Sequence, residues 1–243
     1  MNEEVCALVG AVGGTGTTRL ALEFGATLAE NGGSVAVVDA AYATQGLVTA
    51  VPERIEPELT RVLTEDRPLA AATYDLEVPA GRLAVAPARA PFERLSRAKT
   101  SECARRLAER LGEAAREFDH VVVDVPPVAA NQAVAAVTAA DRVGLVVPDS
   151  QRGVNALPRT LDRLADVEAS VDAVLANRAD DAPVVGEADA TVPASETTAL
   201  ADAPVCPDGG AFERAVATAV ETTLDVDVER HSEESSLSDY LPG

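Results

Sequence analysis

The chain has 243 residues, 47% of them hydrophobic but only 3% aromatic, and a formal net charge of −20. That length suits one large α/β domain with a core of Ala, Val and Leu, and no run of about 18 apolar residues is present to cross a membrane. So acidic a surface disfavours general binding to nucleic acid at low salt. Lys99 is the sole lysine among 20 cationic residues. This balance fits a cytoplasm loaded with potassium salts, as in extreme halophiles, or alternatively an acidic protein from a high-GC organism. In molar salt the Debye length is about 3 Å, and net charge then says less about partners.

In chain order, Val5–Val9 reads as a first strand. No signal-peptide pattern precedes it, so a cytoplasmic location is expected. A glycine-rich stretch follows, then a helix with Leu20, Phe24 and Leu28 on one stripe, ended by "NGGS" at Asn31–Ser34. Val35–Asp39 is a second strand. Ala40 to Ala80 is less regular, with a short helix near Glu58–Leu63. Arg82–Pro87 reads as a third strand. Thr100 to Phe118 is an amphipathic helix, with Cys103, Leu107, Leu111, Ala115 and Phe118 on one face. "HVVVDVPP", His120–Pro127, is a buried strand ending in a turn.

Asn131–Ala139 is helical and Arg142–Pro148 is the next strand. Leu157, Leu161 and Leu164 mark another helix, with Asn155 as N-cap and Pro158 in its first turn. Val171–Asn177 is a strand, Ala179–Ala199 a loop without a basic residue, and Gly210–Leu224 the last helix. Continuous apolar strands alternating with helices predict a doubly wound, mostly parallel sheet covered on both faces. Residues 1–224 form the expected domain. Residues 225–243 form an acidic tail, expected to be flexible, with Leu237, Tyr240 and Leu241 as anchors if it docks on a partner.

Cys6, Cys103 and Cys206 lie far apart, and neither His120 nor His231 has metal-ligand spacing around it. The cysteines therefore read as small buried residues rather than a metal cage or a disulfide framework. Arg89 to Arg110 is a basic island: seven cations against Glu93, Glu102 and Glu109, a local +4. It reads as a solvated helix face with ion pairs, or else as a docking face for an acidic partner or nucleic acid. Phe92 is its only aromatic, which leaves little for bases to stack on.

The stretch with the most chemistry is "GAVGGTGTTR", Gly10–Arg19. Glycines between a strand and a helix let backbone N–H groups approach an anion, and the helix N-terminus adds positive potential. Asp39, Asp124 and Asn177 each end a strand, at the edge of a parallel sheet where ligands bind.

With these features in this order, the chain resembles the ParA/MinD family of P-loop ATPases, whose deviant Walker A motif reads K-G-G-x-G-K-T-[TS]. "VGGTGTTR" falls on that motif, "VVVDVPP" on the Walker B strand, and "VAVVDA" on the strand ending in D-x-D. "AVLANR" and "ALADAPVCPD" fall on the base-side elements, and the resemblance runs from about Val5 to Leu224. It implies Mg-ATP or Mg-ADP as cofactor. Gly13, Gly14, Thr15, Gly16 and Thr17 would form the phosphate loop, and Thr18 would be a magnesium ligand. Asp124 would hold magnesium through a water, Asp39 would be the first D-x-D carboxylate, and Asn177 with Arg178 would lie near the base. It also implies a protein partner, a paralogue or a second copy.

The departures concern phosphate charge and loop shape. Val12 replaces the signature lysine and Thr17 the phosphate-binding lysine. Ala41 replaces the second D-x-D aspartate, Ala11 an early glycine, and Val128 the glycine after the prolines. Hydrolysis is accordingly expected to be very slow or absent, with weak Mg-nucleotide binding through the loop amides. Arg19 either turns back to replace the lysine or is an ordinary solvated helix arginine. MinD-type members end in a basic membrane-binding helix. The acidic tail here argues against direct membrane binding. A metal-cluster carrier of the related Mrp branch would need paired cysteines, which the sequence lacks.

Overall fold

A computed structural model describes residues 4–52, 54–180, 182–206 and 210–229. The strands are β1 (Glu4–Gly10), β2 (Ser34–Asp39), β3 (Tyr74–Leu76), β4 (Arg82–Ala86), β5 (His120–Val125), β6 (Arg142–Pro148), β7 (Ala173–Asn177) and β8 (Ala190–Val192). The helices are α1 (Thr17–Glu30), α2 (Leu59–Glu65), α3 (Phe92–Ala98), α4 (Ser101–Ala114), α5 (Asn131–Thr138), α6 (Gln151–Asp166) and α7 (Ala211–Leu224).

One eight-stranded sheet runs β3-β4-β2-β5-β1-β6-β7-β8, parallel except at the β3–β4 edge. The period of two along each strand divides the core into two layers. Val5, Ala7 and Val9 of β1 face one layer with Leu107, Leu111, Ala133, Ala136, Leu157 and Leu164. Cys6 and Leu8 face the other with Leu20, Phe24, Val216 and Val220. Thus α1 and α7 cover one face of the sheet and α4, α5 and α6 the other. Leu107 and Leu111 are fully buried, and each side chain contributes roughly 1.5–3 kcal/mol by leaving water. Burial holds the thiols of Cys6 and Cys206 protonated, and all three cysteines are free and buried.

Several elements differ from the sequence expectation. Two edge strands, β3 and β8, stand where irregular chain was expected, and α3 forms ahead of α4. Helix α6 starts earlier than expected: Ser150, not Asn155, is its N-cap, its hydroxyl accepting from the Gly153 N–H at 3.4 Å. Pro158 consequently lies inside the helix rather than in its first turn. The apolar stripe begins only at Ala156, because the first turn packs through Gly153, where a Cβ would stand 2.0 Å from the Pro148 carbonyl oxygen.

In the basic island, Arg94, Arg105, Arg106 and Arg110 pair with Glu58, Glu102, Glu109, Asp66 or Glu113. The island is thus largely an ion-paired helix surface. Arg89, Arg97 and Lys99 have no ion pair among the described residues. Of the tail, only Asp225–Glu229 is described. Val228 is buried, and the Glu229 N–H donates to Asn31 Oδ1 at 2.6 Å. The anchors Leu237, Tyr240 and Leu241, with His231, Pro207 and Asp208, lie outside the described residues. No helix among the described residues is long and apolar enough to cross a membrane.

Candidate functional site: an anion nest beside a buried carboxylate

Residues 11–16 connect β1 to α1 at the C-terminal edge of the sheet, next to β5 and β6. Here the chain winds away in both directions, the place where open α/β sheets leave a crevice. A cavity of about 500 Å³ opens there, within the range of small-molecule sites. Of the residues singled out from sequence, Gly13, Gly14, Thr15, Gly16, Thr17, Thr18, Asp124, Asn177 and Arg178 line it. Asp39 does not.

The loop is held from outside by its carbonyls. Arg152 donates to the Gly13 oxygen at 3.4 Å, Arg178 to the Gly14 oxygen at 3.2 Å, and Asn177 Nδ2 to the Thr15 oxygen at 2.7 Å. The N–H and C=O of one trans peptide point in opposite directions. Gripping these three carbonyls therefore aims the N–H groups of Gly14, Thr15 and Gly16 the other way. None of these three, nor those of Thr17 and Thr18 at the start of α1, has an acceptor among the described residues. Successive free N–H groups at a helix N-terminus form an anion-binding nest. Gly14 (φ 80°) and Gly16 (φ 92°) supply the left-handed turns it requires.

No side-chain cation lies within the loop itself. Thr17, at the lysine position, is buried, with its hydroxyl 2.7 Å from where a Cβ on Gly10 would stand. Val12 packs against the core. Arg19 is committed elsewhere. It pairs with Glu23, donates to the Thr197 carbonyl at 2.8 Å and to Ser195 Oγ at 3.1 Å, and lies over the Phe212 ring. Glu23, fully buried, also accepts from the N–H groups of Val205 and Cys206, each at 2.9 Å. This clasp fastens the 195–206 segment to α1. Arg19 is thus neither a lysine replacement nor a solvated helix arginine.

The carboxylates sit side by side, Asp39 in register with Asp124. Asp39 is satisfied internally by the N–H groups of Ala41 at 2.9 Å and Ala88 at 3.3 Å. Burial and the neighbouring Asp124 push its pKa well above the usual carboxylate range. Asp124 is buried at the cavity wall, and its Oδ2 has no hydrogen-bond partner. Burial raises its pKa to about 6, while the neighbouring Thr18 hydroxyl pulls the other way. An unpaired buried carboxylate oxygen beside a threonine hydroxyl suits a hard divalent cation with oxygen ligands.

Sequence reasoning passed over Arg152, the Pro193–Thr198 wall, Phe212 and the Glu23 clasp. The only local signal was the Arg19–Glu23 spacing of four, which places both on one helix face.

Residues 3–176 match the AAA-domain family. No curated protein matches the sequence. Among solved structures, the septum site-determining protein MinD complexed with Mg-ADP from Pyrococcus horikoshii is 18% identical, with a TM-score of 0.73 over 90% of this chain and 94% of that one. A ParA family ATPase from Chlorobium tepidum is 18% identical, with a TM-score of 0.74 over 88% of this chain and 97% of that one. The MinC:MinD cell division protein complex of Aquifex aeolicus gives 19%, 0.73, 94% and 98% in the same order. At such identities the likeness speaks for the fold. Taken together, the sequence match means that the chain belongs to the AAA-domain family, and the structural likeness that it has the fold of the MinD and ParA proteins.

Proposed function

We propose that the protein is a degenerate ParA/MinD-type nucleotide-binding protein. It holds Mg-ATP or Mg-ADP weakly, hydrolyses it very slowly or not at all, and serves as a regulator or scaffold in chromosome partitioning or division-site placement. The carrying observation is a complete amide nest with no lysine in it, beside an intact Thr18–Asp124 pair. Thr18 and Asp124 fit magnesium by their chemistry, and magnesium would neutralise phosphate charge there. The P. horikoshii MinD structure holds Mg-ADP on the same fold. The A. aeolicus MinC:MinD complex supports a protein partner, which we take to be a paralogue or a second copy of this chain. The composition supports work in the cytoplasm at high potassium.

Mg-ATP titrated by calorimetry in multimolar KCl tests this reading. The native protein is expected to bind weakly, and Thr17→Lys to bind about tenfold to a hundredfold more tightly, as a charged hydrogen bond contributes. Equal affinity and equal turnover in the two proteins would overturn it.

The second reading is an active ATP-dependent dimerising switch. One observation favours it: a guanidinium, that of Arg178, stands against the lysine-free loop. Turnover appearing when a partner is added decides for this reading.

A further inference from the structure

Phe92 opens α3 with 85% of its surface in water. The other described aromatic side chains are buried or half-buried, in a chain that is only 3% aromatic. Helix α3 buries only Ala98, so its own packing does not call for a phenylalanine at the first position. Arg89 and Arg97, both exposed, and Lys99, half-buried, flank the ring in sequence. None of the three has an ion pair among the described residues, whereas Arg94 between them is spent on Glu58. Lys99 follows Phe92 by about two helical turns, which puts both on one side of α3. Glu93 is the one carboxylate of this stretch. An exposed ring among unpaired cations fits an acidic segment that carries apolar residues.

The patch stands at the cavity edge of the sheet. The Ala88 N–H donates to Asp39 at 3.3 Å, and Gln45 Nε2 donates to the Ala90 carbonyl at 3.2 Å. It belongs to the α4 layer, against which Leu95 and Ala98 pack. Residues 230–243 have the complementary make-up: Glu233, Glu234 and Asp239 against Arg230, with Leu237, Tyr240 and Leu241 among them. They depart from Glu229, at the opposite edge and on the opposite layer. Val228 lies in the layer of α1 and α7, and Glu229 is tied to Asn31 just past the end of α1. Leu237 stands eight residues beyond Glu229, a reach of at most about 28 Å. Climbing the height of β2 takes about 20 Å, and passing from one helix layer to the other takes about as much again. The chain's own Leu237 falls short of the patch. That of a second copy is under no such limit.

We propose that residues 230–243 of a second copy dock on the Phe92 patch, their apolar residues on the ring and their carboxylates against Arg89, Arg97 and Lys99. The proposal rests on the partner part of the proposed function and names the second copy as that partner. In molar salt the ion pairs count because the ring contact keeps water from between them.

Lys99 is the sole lysine, which gives the test a single side-chain amine. Equal amounts of isotope-labelled and unlabelled full chain are mixed in molar KCl. A carbodiimide then condenses the Lys99 amine with a carboxylate to an amide, with loss of water, and mass spectrometry reads the joined fragments. Lys99 is expected to be joined to Glu233, Glu234 or Asp239 in pairs that combine a labelled with an unlabelled fragment. Phe92→Ala should lower that yield about tenfold or more, as loss of a central aromatic anchor does. Leu237→Ala combined with Tyr240→Ala should do the same. Leu161→Ala, at an exposed position of α6, should leave the yield unchanged. Because Phe92 is exposed, an unchanged melting temperature is expected and shows that Phe92→Ala folds. Joined fragments of one label only would put the chain's own tail on the patch and overturn the proposal. So would an unchanged yield in Phe92→Ala, an absence of any link between Lys99 and the tail, or an added DNA duplex that shields Lys99 and needs Phe92. Each of these leaves the nucleotide reading standing, since Mg-ATP calorimetry on the same protein tests it separately.

Discussion

Gly16→Ala is expected to abolish nucleotide binding and to destabilise the protein by about 2–5 kcal/mol. Two effects add. At φ 92° an L side chain meets its own backbone, a cost of roughly 1–2 kcal/mol. The new Cβ would also stand 2.4 Å from Asn177 Nδ2, forcing the amide off the Thr15 carbonyl. A buried polar group left without its partner costs about 1–3 kcal/mol more. The loop then loses the grip that aims the Gly16 N–H. Gly13→Ala is the matched control, since a Cβ there meets nothing within 4 Å and φ is not positive. Urea unfolding and Mg-ADP calorimetry on both variants check this. If the two glycines behave alike, the nest is not held as described.

Asp124→Asn is expected to make the metal-free protein more stable at neutral pH while removing its response to magnesium. In the folded chain burial raises the Asp124 pKa to about 6 from its ordinary 3.8. The native state therefore binds this proton more tightly than the unfolded chain does. The associated stability is full below pH 4 and is lost as pH rises through 6. A shift of this size corresponds to roughly 3 kcal/mol. Asparagine carries no such charge, so the variant lacks that slope. Denaturant unfolding in EDTA at pH 4.5 and pH 7.5 should show the native protein losing stability relative to Asp124→Asn across the interval. Added magnesium should raise the midpoint of the native protein alone. Parallel pH curves would contradict the burial of an unpaired carboxylate.

Much of this was written locally in the chain. The apolar runs of β1, β2, β5, β6 and β7 and the stripe of α1 announce a wound parallel sheet. The glycines around Thr15, with Thr18 and Asp124, announce a phosphate site, because that chemistry needs those groups at fixed offsets. Tyr74–Leu76 and Ala190–Val192 were not legible: three residues do not establish a period, and edge pairing depends on the neighbouring strand. Helix α3 has seven residues and buries only Ala98, so it carries no apolar stripe to announce it. The start of α6 was misplaced because its first turn buries glycine rather than leucine. The grips on the loop were beyond sequence reasoning, since they join positions 139, 162 and 164 residues apart. Thr17 was legible as a lost charge, but not as a side chain turned beneath the loop.

The Arg19–Glu23 clasp has a geometric consequence. Helix α1 carries the free N–H groups of Thr17 and Thr18 at its start, and the next residue, Arg19, holds the Thr197 carbonyl and Ser195 Oγ of the opposite cavity wall. One turn of one helix therefore anchors both the loop and the wall that faces it. When α1 shifts, the two sides of the mouth travel together, and its width is set by the helix rather than by either loop.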